Sequence, residues 1–138
     1  MTGQIPVSYT HLDVYKRQVL HNGLLTQLTH DHSVTAEAVR RGEMSEQEAL
    51  DHPHHNVLTR ALGVAPDVEL DSTAHLAVEG DRLLVCTDGL VDEVSSDEIA
   101  SLMTATEDIQ ETADGLVELA LSRGGRDNVS VVVAEICA

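Results

Sequence analysis

Two apolar runs, each with an aspartate at its edge, constrain this chain more than any other feature. Arg82 to Asp92 reads RLLVCTDGLVD, and Asp88 stands just past the run Leu83-Leu84-Val85-Cys86 and before Gly89. Gly124 to Ile136 reads GGRDNVSVVVAEI, and Asp127 stands just ahead of Val129 to Val133. Short apolar runs bounded by turn residues read as buried strands. Carboxylates at the ends of buried strands hold a hard divalent cation such as Mg²⁺ or Mn²⁺ rigidly, through oxygen. The plainer reading makes Asp88-Gly89 a turn and Asp127-Asn128 a cap, because Asp, Gly and Asn populate turns for backbone reasons.

Composition changes abruptly along the chain. Lys16 is the only lysine, and Tyr9 and Tyr15 are the only residues of the Phe, Tyr and Trp class. All three lie within Val7 to Gln18, VSYTHLDVYKRQ, whereas residues 19–138 use Arg alone as their Lys/Arg base and are rich in Ala, Val and Leu. Such a break suggests two origins in one reading frame. Back-translated, the segment gives a string that is its own reverse complement apart from its final bases, and resembles two transposon ends joined head to head. Residues 7–18 are therefore expected to be a sequencing or assembly artefact, with residues 1–6 of uncertain origin. On that expectation Tyr9, His11, Asp13 and Tyr15 carry no chemistry.

Residues 19–138 are one domain's worth of chain. The balance is acidic, 8 Lys plus Arg against 24 Asp plus Glu for a formal charge of −16. That argues against nonspecific binding to nucleic acid or to an anionic membrane. No run approaches the length of a membrane span, and no secretory signal is evident, so a cytoplasmic setting is expected. Cys86 and Cys137 are too few for a disulfide framework, and Cys86 reads as a buried free thiol. The Arg-only, Ala-rich makeup fits a GC-rich, bacterial source.

The pattern of elements alternates. Val19-Leu20 and Leu24 to Thr29 predict a hairpin turning at Asn22-Gly23. Ser33 to Arg41 and Ser45 to Asp51 predict short polar helices, the first ended by Gly42, the second opened by a Ser45/Glu48 capping box and stopped by Pro53. Val68 to Val78 has strand-like alternation. Arg82 to Thr87 predicts a buried strand, and Ser95 with Glu98 a second capping box opening a helix to about Met103. Ile109, Ala113, Leu116, Val117, Ala120 and Leu121 share one helical face that ends at Gly124-Gly125. Val129 to Ile136 predicts a final strand. The sum is a layered α+β domain.

These pieces together resemble the metal-dependent protein serine/threonine phosphatases of type 2C, in particular the small bacterial ones. The matching stretches occur in the family's order: LTQLTHDHS from Leu25, Gly42-Glu43, Ala49 to His52, NVLTRALG from Asn56, DRLLVCTDG from Asp81 with Leu90-Val91-Asp92, ADGLVELA from Ala113 and GRDNVSVVV from Gly125. His54-His55 precede Asn56 where an Arg is more usual, and Thr87 stands where Ser is common.

The resemblance implies a layered α-β-β-α sandwich and hydrolysis of phosphoserine and phosphothreonine esters by water activated between two Mn²⁺ or Mg²⁺ ions. It implies that Asp88 and Asp127 are ligands of one of those ions. Gly89 would let the backbone turn tightly there, and Asn128 would fix the loop presenting Asp127. A flap-like segment at about 33–56, with Arg60, would border the site, and phosphorylated proteins would be the substrates. The family's other acidic ligand, its Asp-Gly-x-Gly-Gly segment, a phosphate-binding Arg and a Gly-Asp-Ser segment are not found in this sequence. The expectation is therefore the C-terminal half of such a domain, missing its N-terminal strands, inactive by itself and holding at most one partial metal site.

Two other classes fit parts of the sequence. One is a noncatalytic phosphatase-like module that binds a phosphoprotein or a regulator. The other is a transition-metal binder built from His30, His32, His52, His54 and His55. Their spacing on polar segments matches no closed site, and solvated loop histidines account for them better.

Overall fold

The computed structural model describes residues 15–55, 57–60, 66–67 and 71–137. Residues 1–14, including Tyr9, His11 and Asp13, therefore lie outside the described residues, as do Asn56, 61–65 and 68–70. Among the described residues four strands form one antiparallel sheet: β1 (Tyr15–His21), β2 (Leu24–Gln27), β3 (Arg82–Thr87) and β4 (Val131–Glu135), in the order β2-β1-β3-β4. The helices among the described residues are α1 (Val34–Arg40), α2 (Glu46–Asp51), α3 (Asp88–Val91), α4 (Ser96–Ala105) and α5 (Ile109–Ser122). The fold is α+β, a central antiparallel sheet flanked by helices.

The hairpin forms where Asn22-Gly23 predicts it. Both residues have positive φ, 49° and 79°, which the right-handed twist of the flanking strands requires of a two-residue turn. Its first strand begins earlier than expected, at Tyr15, so Tyr15 to Gln18 belong to the sheet. Gln18 faces Leu84 in the register and is buried, and Val19 beside it is buried too. Four residues of the segment 7–18 that composition sets apart, Tyr15 to Gln18, thus pair with β3. The composition break did not mark a structural boundary, because a strand needs partners more than it needs a uniform composition.

The core lies on one face of the sheet. Leu84 and Cys86 of β3, with Leu20 of β1, pack against Leu90, Val94, Ile99 and Met103 and against Leu116 and Ala120 of α5. Period two in the strands and period near four in the helices bring these residues together. Each fully buried Leu or Ile contributes about 1.5–3 kcal/mol over its exposed state. Residues 71–78 form no strand, and the Val68–Val78 expectation fails there. Leu76 is 87% exposed, so alternation without a neighbouring ladder does not make a strand. β4 starts at Val131, two residues later than expected, because Val129 and Ser130 belong to a loop tied back onto β3.

Helix starts follow the sequence closely. The Glu48 carboxylate accepts from the Ser45 N–H at 2.8 Å, and Ser45 Oγ accepts from the Glu48 N–H at 3.3 Å. At α4 the Glu98 carboxylate accepts from the Ser95 N–H at 3.1 Å and from its Oγ at 2.7 Å. Glu98 also forms an ion pair with Arg123, which follows α5. The Arg123 guanidinium, then the two Ser95 donors, pull the Glu98 carboxyl down from 4.5 to about 2. A depressed carboxyl stabilises the fold above its unfolded value, and that contribution fades as pH falls from 4.5 toward 2. Acid titration of stability should therefore be shallower in Glu98→Gln over that window. Equal slopes for the two proteins would remove Glu98 as a source of acid sensitivity.

Candidate metal centre

β3 and β4 are neighbours, with Cys86 opposite Val131, so the C-terminal end of β3 meets the N-terminal end of β4. Both expected aspartates lie at that end. A latch made by Thr87 fixes the junction. Its Oγ1 donates to the Asn128 carbonyl at 3.0 Å and accepts from the Ser130 N–H at 3.0 Å, and its own N–H donates to the Ser130 carbonyl at 3.1 Å. Threonine serves where serine is more usual because the hydroxyl is the group in use.

Asp88 opens α3, and its Oδ1 is buried. Asp127 is exposed, and its Oδ1 accepts from the Asn128 N–H at 2.7 Å. Asn128 takes part in holding this loop through its main chain, donating to Asp127 and accepting from Thr87. Gly89 is required here on steric grounds rather than through an unusual dihedral. A Cβ there would lie 2.3 Å from the Asn128 carbonyl oxygen and 3.0 Å from its carbon. The bare backbone of Gly89 lets the start of α3 come up against the loop that carries Asp127.

The structure adds residues to which the sequence pattern assigns no role. Asp92 follows Asp88 at i+4, the spacing that puts two side chains on one helical face. Burial raises its carboxyl above the usual range; Lys16 and His55 oppose this, while Asp127 and Glu93 reinforce it. Lys16 forms an ion pair with Asp31, beyond β2. Burial pushes the Cys86 thiol up to about 11, opposed by Lys16 and reinforced by Asp88 and Asp31. The thiol is therefore protonated near neutral pH and packs as a small apolar group. The i+4 spacing could have flagged Asp92; the Lys16–Asp31 pair had no local signal.

Residues 33–55 hold α1 and α2, and a bridge joins Ser33 to Leu58. His32 and Arg60 both pair with Asp71, at 3.2 and 3.4 Å. The His52 and His54 rings lie 5.6 Å apart, and His55 Nδ1 lies 2.8 Å from the His52 carbonyl oxygen. Among the described residues no group of three or more His, Cys, Asp or Glu is arranged to hold a metal ion.

Two carboxylates of the kind that suit a hard cation thus lie at the ends of adjacent strands in a helix-flanked antiparallel sheet. Similarity to known proteins narrows this. A family model described as Stage II sporulation protein E (SpoIIE) matches residues 27–136. The serine/threonine phosphatase stp of Listeria monocytogenes is 40% identical over 117 residues, 85% of this chain and 46% of the relative. The crystal structure of the Mycobacterium tuberculosis serine/threonine phosphatase PstP/Ppp superposes with a TM-score of 0.83 at 38% identity, covering 93% of this chain and 54% of that one. The PstP catalytic domain in complex with two manganese ions superposes with a TM-score of 0.72 at 36% identity, covering 90% and 50%. The chain belongs to the family that this model describes, and over most of its length it is similar to bacterial serine/threonine phosphatases.

The chain spans about half the length of these relatives. The expectation of a resemblance limited to a C-terminal half, preceded by an unrelated segment, is corrected. The alignments take in 85–93% of this chain, and one covering 93% has to reach into residues 7–18.

Proposed function

We propose that this chain carries part of the metal site of a protein serine/threonine phosphatase acting on phosphoserine and phosphothreonine in cytoplasmic proteins. In this reading Asp88 and Asp127 hold one Mn²⁺ or Mg²⁺. The observation that supports it most is the close approach of Gly89 to Asn128, which joins the two aspartate-bearing segments with no side chain between them. The donor set suits the ion: Mg²⁺ keeps several waters and needs only one or two protein carboxylates. When bound, the ion activates water and offsets charge developing on a phosphoryl group. Asp88 presents a carboxylate from a rigid strand end, Thr87 keeps the Asp127 loop in place, and Asp92 adds negative potential beside Asp127. The sheet is proposed as one layer of an α-β-β-α sandwich.

Two carboxylates fall short of a two-ion centre, so the chain alone is proposed to bind one ion without robust hydrolysis. Calorimetric titration with Mn²⁺ should show a single site, weakened at least tenfold in Asp88→Asn and in Asp127→Asn. Loss of a supporting residue alone costs about 10–100-fold, and a ligand should cost no less. Unchanged affinity in both variants would sink the site. Brisk Mn²⁺-dependent release of phosphate from a phosphothreonine peptide, lost in Asp88→Asn, would sink the inactivity.

A further inference from the structure

We propose that the Lys16 ammonium is a built-in counter-cation for the acidic end of the sheet, and that a divalent ion at Asp88 and Asp127 binds in competition with it. The inference rests on the metal-site reading above. Lys16 lies opposite Cys86 in the β1–β3 register, and Cys86 is two residues before Asp88. Its side chain is only 14% exposed, and its ammonium is ion-paired with Asp31 Oδ2. Asp31 is itself held, since its Oδ1 accepts from Gln27 Nε2 at 3.1 Å. The cation is thus fixed in position rather than swinging in solvent.

From there its charge reaches the residues around the proposed site. It acts on Asp92 and on Cys86, which in turn feel Asp127 and Asp88. The sole lysine of a chain with formal charge −16 is paired with Asp31, has Asp92 as a neighbour in common with Asp127, and has Cys86 in common with Asp88. A largely covered charge escapes most salt screening, so it lowers the negative potential that draws a second cation. The device sets a threshold, because an arriving ion must overcome the repulsion of an ammonium already in place.

The test is Mn²⁺ calorimetry on the full chain, comparing wild type with Lys16→Met, Lys16→Arg and Asp88→Asn. Lys16→Met should bind about tenfold more tightly than wild type, the scale of one nearby unit charge at a protein surface. Lys16→Arg, which keeps the charge, should match wild type. Equal affinities for wild type and Lys16→Met, with binding still lost in Asp88→Asn, overturn the counter-cation role and leave the metal site standing. Binding by neither wild type nor Lys16→Met overturns both. A second readout uses the wild type alone and serves if Lys16→Met fails to fold. Acetylation of the single lysine, followed by peptide mass spectrometry, should become severalfold faster when Mn²⁺ is added. An unchanged rate at a Mn²⁺ concentration that saturates the calorimetric site overturns the proposal.

Discussion

Replacing Arg82 by alanine should destabilise the protein by about 3–5 kcal/mol, the range for removing one partner of a buried charged network. Arg82 is largely buried at the start of β3, yet its guanidinium has four acceptors. It donates to Glu135 Oε2 at 2.7 Å, across the ladder on β4. It also donates to the carbonyls of Met103 at 2.7 Å, Thr106 at 2.5 Å and Glu107 at 3.1 Å. Carbonyls at a helix C-terminus have no partner within the helix. Arg82 therefore caps α4 and joins the helix layer to the sheet. Alanine would leave these acceptors without their donor and Glu135 without its cation. Arg82→Lys should recover less than half the loss, since an ammonium cannot copy the planar fork. Urea unfolding of the variants measures this. A loss below about 1 kcal/mol in Arg82→Ala would mean that water replaces the guanidinium without difficulty.

The second large effect is expected at Gly89. Gly89→Ala forces a methyl group to within 2.3 Å of a backbone oxygen, so α3 and the Asp127 loop must separate. Overpacking of this kind costs about 1–3 kcal/mol. The separation should also weaken Mn²⁺ binding at least tenfold, on the scale of a disturbed ligand support. Gly115 supplies the contrast. It lies within α5, where a Cβ would meet only Leu102 Cδ2 at an ordinary 3.8 Å. Gly115→Ala should therefore stabilise by about 0.5–1 kcal/mol, because alanine is the better helix former. Calorimetric unfolding with Mn²⁺ titration of both variants tests the opposite signs. Matching behaviour at the two sites would mean that the close approach at Gly89 does not govern this junction.

Local chemistry by itself makes several elements legible in the sequence. Asn22-Gly23 specifies a turn because it tolerates positive φ, and Ser45 with Glu48 specifies a helix start because each satisfies the other's backbone. The β3 run needs only its apolar content. What escapes is set by partners distant in sequence. Tyr15 to Gln18 look foreign by composition but complete a ladder with residues 84–87. Residues 71–78 look strand-like but have no ladder to join. Asp88 and Asp127 are legible as candidates because each sits at the mouth of an apolar run. The reason for Gly89 is not, since only the folded chain brings Asn128 against it. The setting of Asp92 is hidden for the same reason, because Asp127, Lys16 and His55 are far away along the chain.

The strand order has a consequence in time. Only the β1–β2 hairpin closes locally. The β1–β3 ladder pairs Leu20 with Arg82, and the β3–β4 ladder pairs Arg82 with Glu135. Each must shut a long loop before its contacts offset the lost chain entropy, and topologies of this kind fold slowly. Helix pairing between α4 and α5 can run ahead of both. The aspartates at the far end of β3 and β4 can therefore meet only after the slow ladder has zipped, so ion-binding competence should mature late in refolding, well after most helical signal has returned.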